Sequence, residues 1–206
     1  MRDGTYMARG RPRKFDEDQA LTGAMILFWE KGFSATSLDD LAVAMNMNRP
    51  SIYNAFGNKE TIYRRSLERF CGQLDQGLQA TLGSGKPLTA GLYAFFDQAI
   101  EVYCGNKPPM GCLMICTAPS EAISHPEVGN DLKALIQRLD AGFTERLARA
   151  KREGDLPDGT QPRLAAQLLQ ATLQSIALRA RSGHSKTSLR KLARYTIDLI
   201  LAGNSG

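Results

Sequence analysis

The sequence predicts an all-α fold of about nine helices, in which a three-helix head precedes a larger helical body. Strand patterns are nearly absent, and the longer segments repeat their apolar residues every three or four positions, the period of a helix that is buried on one face. Gly, Pro and Ser gather between these segments, as is typical of loops. Hydrophobic residues make up 43% of the 206 residues, enough to form a packed core.

The first two helices have recognisable ends. We expect one helix from Asp16 to Lys31, with Gly32 ending it. The next should begin after Ser37, whose side chain can cap it, and run to about Met45. The acid at position 40 lies three residues after this serine and can complete a capping box.

Two more helices flank the glycine of "GNKE". A short helix is predicted from Arg49 to about Ala55, after a turn at "NMN". A long helix follows, with Asn58 as its N-cap, and continues through "TIYRRSLERFCGQLDQGLQATL".

The body begins beyond the break "GSGKP" at residues 83–87. Its predicted helices are Leu88–Tyr103, Gly111 to about Ser124, Glu127–Arg152, Arg163–Arg181 and about Thr187–Leu201. We place the division between a head domain at 9–70 and a body domain at 71–206.

The composition restricts the class of protein. The formal net charge of +5 is consistent with nucleic-acid binding without proving it. No apolar run approaches the ~20 residues that span a bilayer, and the N-terminus lacks the apolar segment of a secretory signal. Four cysteines without an export signal suggest reduced thiols, so we expect a cytoplasmic protein.

The stretch "MNMNRPSIYNAFGNKE" carries the strongest functional pattern. It has no acid before its last residue, Glu60, and the acid-free window extends from Leu41 to Lys59. Two short helices joined by a turn match a helix-turn-helix, whose second helix enters the DNA major groove. Arg49 and Ser51 at the start of that helix could reach base edges, and an arginine can bind guanine through two hydrogen bonds. Tyr53 and Lys59 could hold the phosphate backbone.

The alternative is an ordinary helical hairpin with a solvated basic face, and spacing alone leaves it open. The segment "ARGRPRK" favours DNA binding, because it carries Arg11 and Arg13 among other cations and no acid. Basic arms of this kind enter a minor groove or follow phosphates.

The segment "GFSATSLDDLAVAMNMNRPSIYNAFGNKETIYRRSLERF" resembles the DNA-binding domain of the TetR/AcrR family of bacterial transcriptional regulators. The resemblance covers about residues 9–70. The matching positions are Gly32, Phe33, Thr36, Ser37, Ile52, Tyr53, Phe56, Lys59 and Glu60.

The resemblance implies a repressor that a small-molecule or reactive-species inducer releases from a palindromic, double-stranded operator. It implies that Ser37 meets phosphate, that Tyr53 and Lys59 clamp the backbone, and that the groove-facing residues are Arg49, Ser51 and Asn54. Two positions depart from the pattern. Pro50 lacks a backbone donor, and Ala55 stands where many members carry His.

Family members are usually homodimers that pair through their last two helices. Here "LAAQLLQATLQSIALRA" and "LRKLARYTIDLILA" have apolar faces too broad for one small body to bury easily. The alternative is packing within one chain.

The segment "PPMGCLMICTAPSEA" predicts a reactive thiol. Cys112 lies in the first turn of a predicted helix, where the dipole would stabilise its thiolate, and Cys116 lies on the same face. This helix opening resembles a branch of the family that includes cysteine-based sensors of electrophiles and oxidants, although Pro119 interrupts or kinks the helix. The alternative is that both cysteines are small buried hydrophobes.

Other candidate ligand-binding residues surround this segment, with ordinary core packing as the alternative. They are Tyr93, Phe96, Ile100, Tyr103, Met114 and Phe143.

We expect no metal, cofactor or enzymatic activity. Cys104, Cys112, Cys116 and His125 fit no standard zinc spacing. No catalytic constellation stands out, and "GSGKP" is too short for a P-loop. An enzyme or a structural helical adaptor is the rival interpretation.

Overall fold

A computed structural model describes residues 16–83 and 85–202, and within them the protein is entirely helical. This confirms the predicted all-α fold with a three-helix head and a larger body. The helices of the described residues are α1 (Glu17–Lys31), α2 (Leu38–Ala44), α3 (Arg49–Phe56), α4 (Lys59–Leu82), α5 (Leu88–Cys104), α6 (Leu113–Thr117), α7 (Pro126–Glu153), α8 (Pro162–Arg181) and α9 (Lys186–Ala202).

The helix ends in the head follow local capping rules. The Asp16 carboxylate accepts hydrogen bonds from two backbone N–H groups of the first turn of α1, and Gly32 ends that helix with φ +79°. Ser37 and Asp40 form the predicted reciprocal capping box at α2. The Asn58 side chain caps α4, as predicted.

The three head helices pack around one apolar core. Phe28 of α1, Leu41 of α2 and Ile52 of α3 have no exposed surface. Gly23 allows α1 and α2 to approach closely, since a Cβ there would lie 2.1 Å from the carbonyl oxygen of Ala44. The core thereby fixes the angle between α2 and α3.

The long helix α4 joins the head to the body. It packs against α1 in the head and against α5, α6 and α7 in the body. Trp29 of α1 makes an edge contact with Phe70 of α4, at 4.9 Å between ring centroids. The Trp29 Nε1–H also donates to the carbonyl of Met110, at 3.2 Å. Head and body therefore share a buried contact at Trp29, near the C-terminal end of α1.

The predicted helix from Gly111 to about Ser124 is wrong in extent. Helix α6 has five residues, Leu113–Thr117, and the chain continues in turns to His125. Pro119 cannot extend the helix because it has no backbone N–H. Gly111 has φ +69°, and a Cβ there would lie 2.4 Å from the Ala177 carbonyl oxygen, so the chain enters α6 through a position that requires glycine.

The body core is aromatic at its centre. Phe95 and Phe96 of α5 each contact the ring of Phe143 of α7, at 5.3 Å and 6.4 Å between centroids. Helix α8 packs between α7 and α9, and α5 contacts all three of these helices. Among the described helices, none combines the length and hydropathy required to cross a bilayer.

Candidate functional site

One face of α3 presents polar side chains to solvent. Arg49 and Asn54 are exposed, Tyr53 is 49% exposed, and Ser51 is half-buried. The opposite face of α3 carries the buried Ile52. Local sequence explains the position of the helix: the Asn48 side chain caps it, and a proline occupies its first turn. The surface of α3, with the exposed Ser37 at the start of α2, is hereafter the α3 surface.

Arg49 forms an ion pair that the acid-free window did not suggest. Its Nε donates to Asp39 Oδ1 at 2.8 Å, and this hydrogen bond raises the pKa of Arg49. Asp39 lies in α2, just before the window that begins at Leu41. The pairing could have been anticipated only from the angle between the two helices.

Lys59 holds the start of α4 against the head. Its Nζ donates to the carbonyl of Thr36 at 2.8 Å and lies 4.3 Å from the centroid of the Phe33 ring. The side chain is half-buried. An ammonium has three N–H donors, so the Lys59 Nζ could donate to a phosphate and keep its hydrogen bond to Thr36. The phosphate contact itself stays a prediction. Arg11 and Arg13 of the basic arm lie outside the described residues.

The turn region after α6 contacts the head directly, which sequence reasoning missed. Glu121, 8% exposed, accepts a hydrogen bond from the hydroxyl of Ser34 at 2.9 Å. His125 Nδ1 lies 3.0 Å from Glu60 Oε2 in α4. These polar contacts join the α6–α7 connection to the turn between α1 and α2 and to the start of α4.

The candidate ligand residues are mostly packed rather than arranged around a cavity. Phe96, Ile100, Tyr103 and Phe143 are at most 1% exposed. The half-buried Tyr93 is hydrogen-bonded to Asp198 of α9. In this conformation these side chains form core, and ligand contact at these positions stays a prediction.

A cavity of about 550 Å³ lies instead between α4 and α7. Of the candidate ligand residues, Met114 lines this cavity. Arg64 and Asp131 both line this cavity, and the Arg64 guanidinium donates to both carboxylate oxygens of Asp131, at 2.6 and 3.0 Å. Its described lining residues are Thr61, Arg64, Arg65, Glu68, Cys71, Gly72, Asp75, Met114, Asp131, Ala134 and Arg138.

The prediction of a stabilised Cys112 thiolate is wrong for this conformation. Cys112 is the N-cap of the five-residue α6, is 2% exposed, and has its pKa raised to about 12 by burial. Hydrogen bonds from the α6 backbone act in the opposite direction but are outweighed by desolvation. Cys116 is half-buried, and burial also raises its pKa.

The cysteines should therefore react in order of exposure. With brief substoichiometric iodoacetamide at pH 8, we expect Cys104 and Cys116 to be labelled before Cys71 and Cys112, as measured by peptide mass spectrometry. The pKa of Cys71 and of Cys112 is raised to about 12, so both remain thiols at this pH. Labelling in denaturant provides the control, in which the four rates should converge. Fastest labelling of Cys112 in the folded protein would contradict this order.

Helices α8 and α9 expose apolar side chains on one side of the body. Leu164 and Leu168 of α8 are 57% and 45% exposed, and Leu199 of α9 is 53% exposed. These three leucines line a shared groove of about 260 Å³. Leu178 and Tyr195 are further exposed apolar residues of the same two helices.

The described residues contain no group of three His, Cys, Asp or Glu side chains placed to hold a metal ion.

Comparisons with known proteins agree on both parts of the chain. Residues 20–65 match the family described as "Bacterial regulatory proteins, tetR family", and residues 89–196 match "Tetracyclin repressor-like, C-terminal domain". The HTH-type transcriptional repressor ComR of Escherichia coli (strain K12) is 30% identical over 193 residues, which cover 93% of this chain and 92% of ComR. The HTH-type transcriptional repressor BdcR of the same strain is 29% identical over 180 residues, which cover 85% and 84%.

A solved structure extends the comparison to a DNA complex. It contains a cysteine mutant of the TetR family transcriptional regulator CifR complexed with 26bp double-strand operator DNA. The two chains are 27% identical, with a TM-score of 0.85 over 93% of this chain and 100% of CifR.

Proposed function

The chain belongs to the TetR family of bacterial regulatory proteins, and on this premise we propose how it acts as a sequence-specific DNA-binding repressor. The observation that carries the proposal is the α3 surface, where Arg49, Tyr53 and Asn54 project from a helix whose other face is locked into the head core. Such a helix can enter the major groove while its apolar face remains packed in the head core. The relatives named as repressors, and the operator complex of CifR, support this assignment.

Within the α3 surface we assign separate roles to base and phosphate contacts. Arg49 and Ser51 lie in the first turn of α3 and would read base edges together with Asn54. Ser37, at the N-terminus of α2, and the Tyr53 hydroxyl would contact phosphates.

The Arg49–Asp39 pair gives this surface a preset geometry. Asp39 orients the guanidinium in the free protein, and its carboxylate would repel nearby phosphates. When DNA binds, the Arg49 guanidinium can exchange the Asp39 carboxylate for a guanine base, or can donate to the carboxylate and the base at once.

We propose that the protein is a homodimer whose subunits pair through α8 and α9. The shared groove of Leu164, Leu168 and Leu199 supplies an unpaired apolar surface on these helices. A two-fold dimer would present its two α3 helices to an inverted repeat.

Induction would act through α4, which begins at the head and lines the cavity of the body. A small molecule bound between α4 and α7 would change the tilt of α4, and with it the separation of the two α3 helices. Release of DNA requires that the inducer bind this altered conformation more tightly. The Glu121 and His125 contacts provide a second connection from body to head.

Arg49→Ala should separate sequence reading from general DNA affinity. We expect about 5- to 150-fold weaker binding to the operator, the loss of one bidentate base contact, with a much smaller change on random duplex. The measurement is fluorescence anisotropy with both duplexes, after selection of an operator from random DNA. Failure of the wild-type protein to enrich any inverted repeat would refute the proposed function itself.

Two controls locate the effect. Lys107→Ala removes an exposed cation from the connection between α5 and α6, away from the α3 surface and from α8 and α9, and should leave both affinities unchanged. Lys59→Ala, which also loses the Thr36 contact, should weaken both duplexes alike. Equal losses on operator and random DNA for Arg49→Ala would overturn its assignment as a base reader.

A further inference from the structure

The end of α4 that lies farthest from the head forms part of a second cavity, which the proposed regulatory function does not use. This arginine cavity has a volume of about 300 Å³ and lies between the C-terminal parts of α4 and α7. Its described lining residues are Leu78, Gln79, Leu82, Gly83, Gly142, Glu145, Arg146, Arg149 and Arg152.

Arg146 lines this cavity as a buried cation with unused donors. The residue is only 4% exposed. Its Nη2 donates to the carbonyl of Lys86 at 2.9 Å, whereas its Nε and Nη1 have no hydrogen-bond partner. Leaving buried charged donors unpaired is costly, and the cost is recovered when an anion accepts from them. Burial, reinforced by the neighbouring Arg149, lowers the pKa of Arg146.

The residues that line the cavity carry more positive than negative charge, and the acids Glu153 and Asp155, outside the lining, also act on Arg146. Arg149 uses Nη2 to donate to the Gly83 carbonyl at 3.2 Å, and its Nε, 3.8 Å from a carboxylate oxygen of Glu153, makes no hydrogen bond. Arg152 adds a third guanidinium. Glu145 is the acid among the described lining residues, so the lining carries three positive charges and one negative charge.

The opposite wall is apolar and closely packed. Leu82 is buried and Leu78 is half-buried, both on α4. Gly142 of α7 faces them, and a Cβ at that position would lie 2.4 Å from a terminal methyl carbon of Leu78. A larger residue at position 142 would therefore require the Leu78 side chain to move.

We propose that the arginine cavity binds a small oxyanion, a carboxylate or a phosphate, between Arg146 and Arg149. Two oxygens on one centre match the planar donor arrangement of a guanidinium, which forms paired charge-assisted hydrogen bonds with both groups. An apolar part of the ligand would contact Leu78 and Leu82. A volume of about 300 Å³ is at the lower end for ligand pockets, which fits a ligand of few atoms.

The test is binding of two probes, inorganic phosphate and hexanoate, to the full-length protein without DNA. Isothermal titration calorimetry at constant ionic strength, balanced with chloride, reports affinity and is independent of repressor activity. Arg149→Gln should weaken binding about tenfold or more, which corresponds to about 1.4 kcal/mol. The matched control Arg179→Gln, on α8 outside the cavity, should bind as wild type does.

Each probe outcome is informative. Hexanoate binding without phosphate binding assigns a carboxylate with an apolar tail, and the reverse assigns a phosphate. Binding of neither probe, or equal weakening by Arg149→Gln and Arg179→Gln, overturns the proposal. Arg146→Gln should abolish binding, and because this buried variant can fail to fold, Arg152→Gln serves as the exposed partner and should weaken binding in a folded protein.

Discussion

Operator affinity is expected to fall by about 10³–10⁵ as salt rises from about 50 to 200 mM. Each cation that neutralises a phosphate releases counterions, and the logarithm of affinity falls by about 0.9 per phosphate for each tenfold rise in salt. A dimer with three to five phosphate contacts per subunit, about 6–10 in all, gives this range. The measurement is a series of anisotropy titrations on the selected inverted repeat at increasing potassium chloride.

The basic arm should account for much of this slope. Arg49 is already paired with Asp39, and Lys59 with the Thr36 carbonyl, so these two side chains exchange existing partners when they bind DNA. The arm brings Arg11 and Arg13 with two further cations and no acid. A chain that begins at residue 15 should therefore show a clearly shallower slope. An unchanged slope in that truncated chain, or salt-insensitive binding by the full chain, would contradict this account.

Local capping rules were sufficient to predict the helix ends of the head, because each end depends on residues three or four positions apart. Ser37 and Asp40 cap α2 through contacts within one turn, and the same is true of Asn58 at α4. The apolar periodicity likewise predicted the boundaries of the long body helices to within one or two residues.

Pairings between helices were beyond those rules. Asp39 meets Arg49 only because the head core sets the angle between α2 and α3. Lys59 reaches Thr36, 23 positions earlier, only because the fold brings the start of α4 back to the turn before α2. The sequence could supply the chemistry of these groups but not their distances.

The failure at Cys112 has a related cause. The sequence placed Cys112 in the first turn of a helix, whereas it is the N-cap, where backbone donors are also present; the effect of those donors depends on burial and on helix length. Helix α6 is only five residues long and is enclosed by α1, α4 and α8, so desolvation dominates the pKa. Burial is a property of the whole fold, and no spacing within residues 108–122 reports it.

Leu168→Glu should convert the proposed dimer into monomers and reduce operator affinity by about 10²–10⁴. The leucine is 45% exposed and lines the shared groove with Leu164 and Leu199, where a partner subunit would bury it. A carboxylate there would be desolvated without a partner, whereas in the monomer it stays in water.

The loss in affinity follows from the linkage of two half-sites. Once one head of a dimer is bound, the second binds at a high effective concentration, and a monomer lacks this gain. Sedimentation velocity measures the oligomeric state, and anisotropy measures the affinity for the full repeat and for a single half-site. The monomeric variant should bind the half-site as tightly as one wild-type head does, since Leu168 is in α8 and the α3 surface is untouched.

The matched control is Ile123→Glu, which places the same charge at an apolar residue that is 92% exposed in the turn region after α6. It should remain dimeric and bind the operator as wild type does. If Leu168→Glu is folded, dimeric and fully active, the α8–α9 groove is not the subunit interface. If it is monomeric yet retains wild-type operator affinity, pairing of the heads is not what makes binding tight. Loss of both properties in Leu168→Glu alone would identify the groove as the surface that holds two α3 helices at the spacing of an inverted repeat.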